Sequence, residues 1–140
     1  MKNQISTTLH HVNNSINLKQ MVSQLIKGIT PLAVSKKSFI VNDIHPDLVV
    51  NTEVNMMAYV VGSMLNSSIN VTENDCLHIT AKVYSNIIII HIKDNFSSFN
   101  NSIAYDLEQL QPVANKLGGI VCYDGNTLKG TSIAFSFTNA

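Results

Sequence analysis

The sequence predicts an α+β fold, a two-layer sandwich in which helices cover one face of a mixed, mostly antiparallel sheet. Three observations lead there. Apolar residues recur at three- and four-residue spacing in three separate stretches, the periodicity of a helix with one buried face. Pairs of short β-branched runs with two-residue alternation lie between and after those stretches. The resulting order, α, ββ, α, ββ, α, ββ, offers one layer of each kind and no repeat that would mark a second domain.

Residues Met1 to about Asn17 are polar and rich in Asn, Thr and His, and read as a tail or a short helical fragment, which leaves one domain over 18–140. Leu18, Met21, Val22, Leu25, Ile26 and Ile29 then define an amphipathic helix. Gly28 and Pro31 weaken it, so a kink is expected near Thr30, with the helix resuming to Lys36 or Lys37. Ser38 to Asn42 reads as a strand, 43–47 as a turn and Leu48 to Asn51 as a second strand. Thr52 is placed to cap the next helix, with Glu53 in its first turn where the helix dipole favours an acid. Val54, Met57, Ala58, Val61, Leu65 and Ser68 form that helix's inner stripe, and Tyr59, Ser63, Ser67 and Asn70 fall on the opposite side.

Cys76 to Tyr84 and Ile87 to Asp94 read as a hairpin around Ser85-Asn86. With that pair as the turn, Tyr84 faces Ile87 and the register follows. Leu77, Ile79, Ala81 and Val83 then share the core face with Ile88, Ile90, Ile92 and Asp94, while His78, Thr80, Lys82, Tyr84, Ile87, Ile89, His91 and Lys93 share the other. A helix over Ile103 to Leu117, with Leu107, Leu110, Val113, Ala114 and Leu117 inward and Pro112 within it, stops at Gly118-Gly119. Ile120 to Tyr123 and Thr131 to Phe137 close the chain as a hairpin around Asp124-Gly125-Asn126.

Composition narrows the function. The chain has 140 residues, 45% of them hydrophobic, enough for one real core. Nine basic residues balance nine acidic ones, which leaves no nucleic-acid footprint. No arginine occurs, so the side chain best suited to clamping phosphate in two-pronged fashion is missing. The apolar runs fall short of a membrane span of about 20 residues. Met1-Lys2-Asn3-Gln4 leads into no apolar signal core, so the expected location is cytoplasmic. Cys76 and Cys122 read as buried free thiols.

Ile87-Ile88-Ile89-Ile90-His91-Ile92-Lys93-Asp94-Asn95 presents a carboxylate at the end of a buried strand. With the Val60-Val61-Gly62-Ser63-Met64-Leu65-Asn66-Ser67-Ser68-Ile69 helix, the Leu117-Gly118-Gly119-Ile120 turn and the Gly130-Thr131-Ser132-Ile133-Ala134-Phe135 end, it makes the chain from about Ile16 to Phe137 resemble the catalytic ATP-binding domain of sensor histidine kinases. That domain has the histidine-kinase-like (Bergerat-type) ATPase fold also used by gyrase and MutL. The resemblance implies that the magnesium-holding asparagine of the family falls on Ser67, a second asparagine or acidic position on Ser63, and the adenine-binding aspartate on Asp94, followed by Asn95. Ser63, Ser67, Asp94, Asn95 and Thr131 would then line a vestigial nucleotide pocket, with no catalytic and no metal-binding residue among them. The family's two glycines after the aspartate are Phe96 and Ser98 here. Phenylalanine lacks glycine's backbone freedom and is bulky enough to fill the purine space. No glycine lies between Ser98 and Leu110, so the phosphate-binding lid is missing, and His10-His11 lacks the phosphoacceptor context.

Plainer readings stand beside these. Asp94 also suits a loop cap, Ser63, Ser67 and Asn70 a solvated helix face, Gly130-Thr131 a hairpin shape, and His78 and His91 an exposed polar pair. What the resemblance implies is a degenerate domain without ATP hydrolysis and without a cofactor. It would act as a binding or regulatory module in bacterial two-component-type signalling, its partner being a histidine kinase, a response regulator or a second copy. The alternative is a nucleotide-binding kinase domain, sensor-kinase or anti-sigma-factor-like, using ATP and magnesium in an unusual pocket. A third reading is a structural homodimer through Tyr84, Ile87 or Ile89, a strip that the N-terminal segment would otherwise cover.

Overall fold

The computed structural model describes residues 14–95, 101–126 and 130–139. Its elements run β1 (Asn14–Asn17), α1 (Leu18–Ser35), β2 (Phe39–Asn42), β3 (Val49–Thr52), α2 (Val54–Asn70), β4 (Cys76–Tyr84), β5 (Ile87–Lys93), α3 (Asn101–Lys116), β6 (Gly119–Asn126) and β7 (Gly130–Thr138). Five strands form the main sheet in the order β2-β4-β5-β7-β6. Only β2 and β4 pair parallel; the other three ladders are antiparallel. The three helices pack on one face, so the expected α+β sandwich is the fold found.

The β4–β5 hairpin has the expected register, Tyr84 opposite Ile87, through a turn in which Ser85 takes φ +57°. Leu77, Ile79, Ile88, Ile90 and Ile92 are buried beneath the helices with Ile133, Phe135 and Phe137 of β7. The core face thins at the turn end: Ala81 is only half-buried and Val83 is 53% exposed. The hairpin there reaches past the helix layer that covers its other residues.

The ends of elements differ more. Asn14–Asn17, read from sequence as the end of a tail, form β1 and pair antiparallel with β3. Three of the four residues are polar and have little strand propensity, with Ile16 the exception; the Val49–Thr52 edge supplies their partner. That pairing engages Thr52 opposite Asn14, and the cap of α2 moves to Glu53, whose Oε2 accepts from Met56 N at 2.8 Å. The helix α1 runs unbroken through Thr30 and Pro31, where an interruption was expected. The Thr30 hydroxyl donates to Ile26 O at 2.8 Å beside the position where proline lacks a donor. Asn17 caps α1 by accepting from Gln20 N at 2.9 Å. Asp124-Gly125-Asn126, expected as a turn, lies in the β6 ladder opposite Ser132, Thr131 and Gly130. Both cysteines are free but not buried: Cys122 is exposed and Cys76 half-buried, because the pairings with Ala134 and Phe39 put them on the outer sheet face. His10, His11, Phe96 and Ser98 lie outside the described residues. Among the described residues no helix is long and apolar enough to cross a membrane.

Two contacts dock α3 and β6 onto the sandwich. Gln111 uses its side-chain amide as a substitute strand, donating to Val121 O and accepting from Val121 N. Gly118 takes φ +74° to end the helix. At Gly119 a Cβ would lie 2.2 Å from Ser136 O and 2.8 Å from both Phe135 and Phe137 side-chain carbons. Gly119→Ala is therefore expected to lower unfolding stability by about 2 kcal/mol, as a lower urea midpoint at unchanged slope.

Candidate functional site

Asp94 follows the last β5 residue on the core side of the sheet. The β5–β7 ladder ends at Lys93 opposite Ser132, and one step further the two strands exchange a pair of backbone-centred bonds. Asp94 N donates to Thr131 O at 3.2 Å, and Thr131 N donates to Asp94 Oδ1 at 2.9 Å. Asp94 Oδ2 lies 3.4 Å from the hydroxyl of Thr72, just past the end of α2, which also donates to Ser68 O at 2.7 Å. The side chain is thus tied to β7 and to the C-terminal end of α2, and Asp94 is only 2% exposed. Gly130, at φ +81°, lets the β7 backbone close over it: a Cβ there would sit 2.4 Å from Asp94 O and 2.7 Å from Oδ1.

Asn95 is held by a residue that sequence reading passed over. Asp75, 6% exposed, accepts from Asn95 N at 2.9 Å, from Asn95 Nδ2 at 3.2 Å and from Cys76 N at 2.6 Å. Its own backbone N–H donates to Ser38 Oγ and its carbonyl accepts from Phe39 N. The carboxylate therefore ties the loop after β5 to the start of β4, and the Asp75 backbone ties both to the start of β2. No sequence signal marks it, because an acid before a strand is equally at home as a solvated turn residue.

The second location is a cleft of about 420 Å³ between α2 and α3, lined by Tyr59, Gly62, Ser63, Asn66 and Ser67 on one side and Asp106, Gln109 and Leu110 on the other. Ser67 is buried here, not on a solvated face, because α3 packs beside α2 in the helix layer. Its hydroxyl donates to Asp106 Oδ2 at 3.1 Å. Asp94 and Thr131 bond each other with Asn95 beside them, and Ser63 and Ser67 line the cleft; Asp94, Asn95 and Thr131 are not among the residues lining it.

Solved structures share this architecture. Acinetobacter baumannii histidine kinase AdeS superposes with a TM-score of 0.80 at 14% identity, covering 96% of this chain and 72% of AdeS. The catalytic domain of histidine kinase ThkA superposes at 0.73 with 12% identity, over 91% of this chain and 95% of that domain. The chain has the histidine-kinase-like ATPase fold. Two longer structures contain the same unit: full-length ShkA in complex with AMPPNP (TM-score 0.78, 14% identity, 91% of this chain and 32% of ShkA), and ThkA in complex with response regulator protein TrrA (0.72, 12%, 91% and 42%). No protein-family model and no curated protein matches the sequence. Ser63 and Ser67 lie on α2, and Asp94 directly follows β5.

Asp75→Ala removes the acceptor for three part-buried donors, an expected loss of roughly 1–2 kcal/mol. Hydrogen exchange should localise it: the Asn95 amide should exchange faster relative to amides in the middle of β5, whereas uniform acceleration would mean that Asp75 does not hold this loop specifically.

Proposed function

We propose that this protein is a degenerate histidine-kinase-like ATPase domain that does not hydrolyse ATP and that acts as a binding or regulatory module in bacterial two-component-type signalling. The observation that carries the reading is the closure of Asp94. A carboxylate that receives a purine amino group needs an accessible acceptor. Here it is 2% exposed, Oδ1 accepts from Thr131 N, and the backbone of Gly130 lies against it. Admitting a purine would require moving the first residues of β7.

The other donor set also suits a magnesium nucleotide poorly. Magnesium takes oxygen ligands at near-ideal octahedral geometry and usually one or two carboxylates beside substrate phosphates. Ser67 offers a neutral hydroxyl already turned to Asp106, and Ser63 offers another. Asp106 is a single carboxylate facing neutral groups, which opposes a triphosphate arriving without its metal. No chemical step is therefore assigned to these residues.

A protein partner is the occupant this reading favours. Tyr59 (51% exposed) borders the cleft and Tyr105 (64% exposed) lies on α3 next to Asp106, and tyrosines are enriched at binding surfaces because they bury large area at low entropic cost. ThkA is seen with a response regulator. A response regulator, a histidine kinase or a second copy of this chain is the partner class proposed here.

Calorimetry with ATP and magnesium is expected to give no heat of binding, and Asp94→Asn to lower the melting temperature without creating any nucleotide response. Micromolar ATP binding that is lost in Asp94→Asn would overturn the proposal in favour of a working nucleotide pocket.

A further inference from the structure

The sheet face opposite the helices carries a hollow of about 320 Å³ lined by His78, Thr80 and Lys82 of β4, His91 and Lys93 of β5, and Ser132 of β7. Strand register explains its shape. Lys93 lies between His78 and Ser132, and His91 lies between Thr80 and Ala134. Long side chains on β4 and β5 stand beside the short Ser132 and Ala134 of β7, and the difference in length makes the depression. Every lining side chain can donate a hydrogen bond and none is a carboxylate.

The charge here is not offset locally. The chain as a whole has nine basic and nine acidic residues, yet neither Lys82 nor Lys93 makes an ion pair with a described carboxylate. The nearest acids stand at the margins: Asp43 Oδ2 is 3.8 Å from His78 Nε2, and Asp124 is the register partner of Ser132 on β6. Lys82 and Lys93 stand four register positions apart on one face, with His91 diagonal to Lys82 and His78 opposite Lys93, so an anion seated between them would draw on both ammonium groups.

We propose that this hollow binds a small phosphate-bearing ligand, held by the Lys82 and Lys93 ammonium groups and by hydrogen bonds from Thr80, Ser132 and the two histidines. Phosphate oxygens accept several charge-assisted bonds at once, which matches the convergence of donors around one depression. The volume is at the small end for ligand pockets, about 300–1,000 Å³, which selects a small molecule over a protein surface. The site lies on the opposite face from Asp94 and the helix cleft, so it stands or falls independently of the function proposed above.

Protonation couples to binding at His91. Burial, and secondarily the Lys82 charge, hold its pKa below the ordinary 6.5. The titratable and charged groups on the same face are Cys76, His78, Lys82 and Tyr84 from β4, Lys93 from β5, and Cys122 and Asp124 from β6, with Asp43 beside His78; β7 contributes none. A bound anion favours imidazolium, so the free form gives up a proton that the complex retains, and affinity rises as pH falls through the histidine range.

The test is titration of the intact protein with pyrophosphate by calorimetry. Saturable binding at one site is expected. Lys82→Gln with Lys93→Gln should weaken it by roughly a hundredfold, taking about tenfold for each charge-assisted contact. Lys27→Gln, on the helix layer, should leave it unchanged. Binding should tighten between pH 7.5 and pH 6, and His91→Gln should flatten that slope. Absence of saturable binding, or equal affinity in the double lysine variant, would overturn the site. A phosphoserine peptide binding more tightly than pyrophosphate would overturn its assignment to a small molecule. The lysines are on the solvent-facing side of the sheet, so melting temperature serves to confirm that these variants fold.

Discussion

The register of the β4–β5 hairpin is the constraint from which most of this molecule follows. Side chains alternate faces along a strand, so a slip of one residue would turn Ile88, Ile90 and Ile92 to the outer face and His91 and Lys93 into the core. The two-residue turn at Ser85-Asn86 prevents that slip by setting Tyr84 opposite Ile87. Asp94, which shares the parity of the isoleucines, is then carried to the core side whether or not a ligand exists to meet it. A carboxylate in that position must find donors, and β7 supplies one because its pairing with β5 brings Thr131 opposite Asp94. Gly130 completes the closure by adopting a backbone angle that other residues rarely take. The same register delivers Lys93 and His91 to the outer face beside His78, Thr80 and Lys82. One turn therefore determines both the sealed acid on one side and the open cationic hollow on the other.

What could be read from sequence divides along physical lines. Periodicity located all three helices and placed Leu77, Ile79, Ile88, Ile90 and Ile92 correctly, because a half-buried element repeats its pattern whatever it packs against. The order of elements, the Leu117-Gly118-Gly119-Ile120 turn, the Gly130–Phe135 end and the strand leading into Asp94 also pointed to the fold that the superpositions establish. Ser67 was assigned to the wrong environment because α2 is covered from two directions: the sheet buries Met57, Val61 and Leu65, and α3 covers Ser67, a contact that a single-stripe reading of α2 cannot contain. Elements whose existence depends on a distant partner were equally illegible. Asn14–Asn17 become a strand only against β3, and Asp124-Gly125-Asn126, residues typical of turns, are held extended by Ser132, Thr131 and Gly130. The cap of α2 shifted by one residue for the same reason, since β1 had already engaged Thr52.

Asp75 illustrates a different gap. Its importance lies in Asn95, twenty positions along the chain, and in two backbone groups that only the folded geometry brings near. Nothing in local composition distinguishes such an acid from a solvated turn residue. Yet it and Asp94 do the same physical work, each accepting backbone N–H groups in the interior at the end of the sheet where the fold positions a site. These carboxylates are thus satisfied by the chain itself, through contacts that link β4, β5, β7 and the end of α2.

That internal satisfaction bears directly on where binding energy can come from. A polar group contributes to ligand affinity in proportion to what it lacks in the free protein, since an interaction already made internally must be broken before it can be remade. Asp94 would have to surrender the Thr131 N–H, and Ser67 would have to leave Asp106, before either could serve a ligand. Lys82 and Lys93 surrender only water. A ligand on the outer face would keep the scaffold's closed network intact, while one on the helix side would have to open it. In the fold that ThkA and ShkA share with this chain, the interior carboxylates Asp75 and Asp94 are bonded within the scaffold, while Lys82 and Lys93 stand on the opposite face of the sheet without a described carboxylate partner.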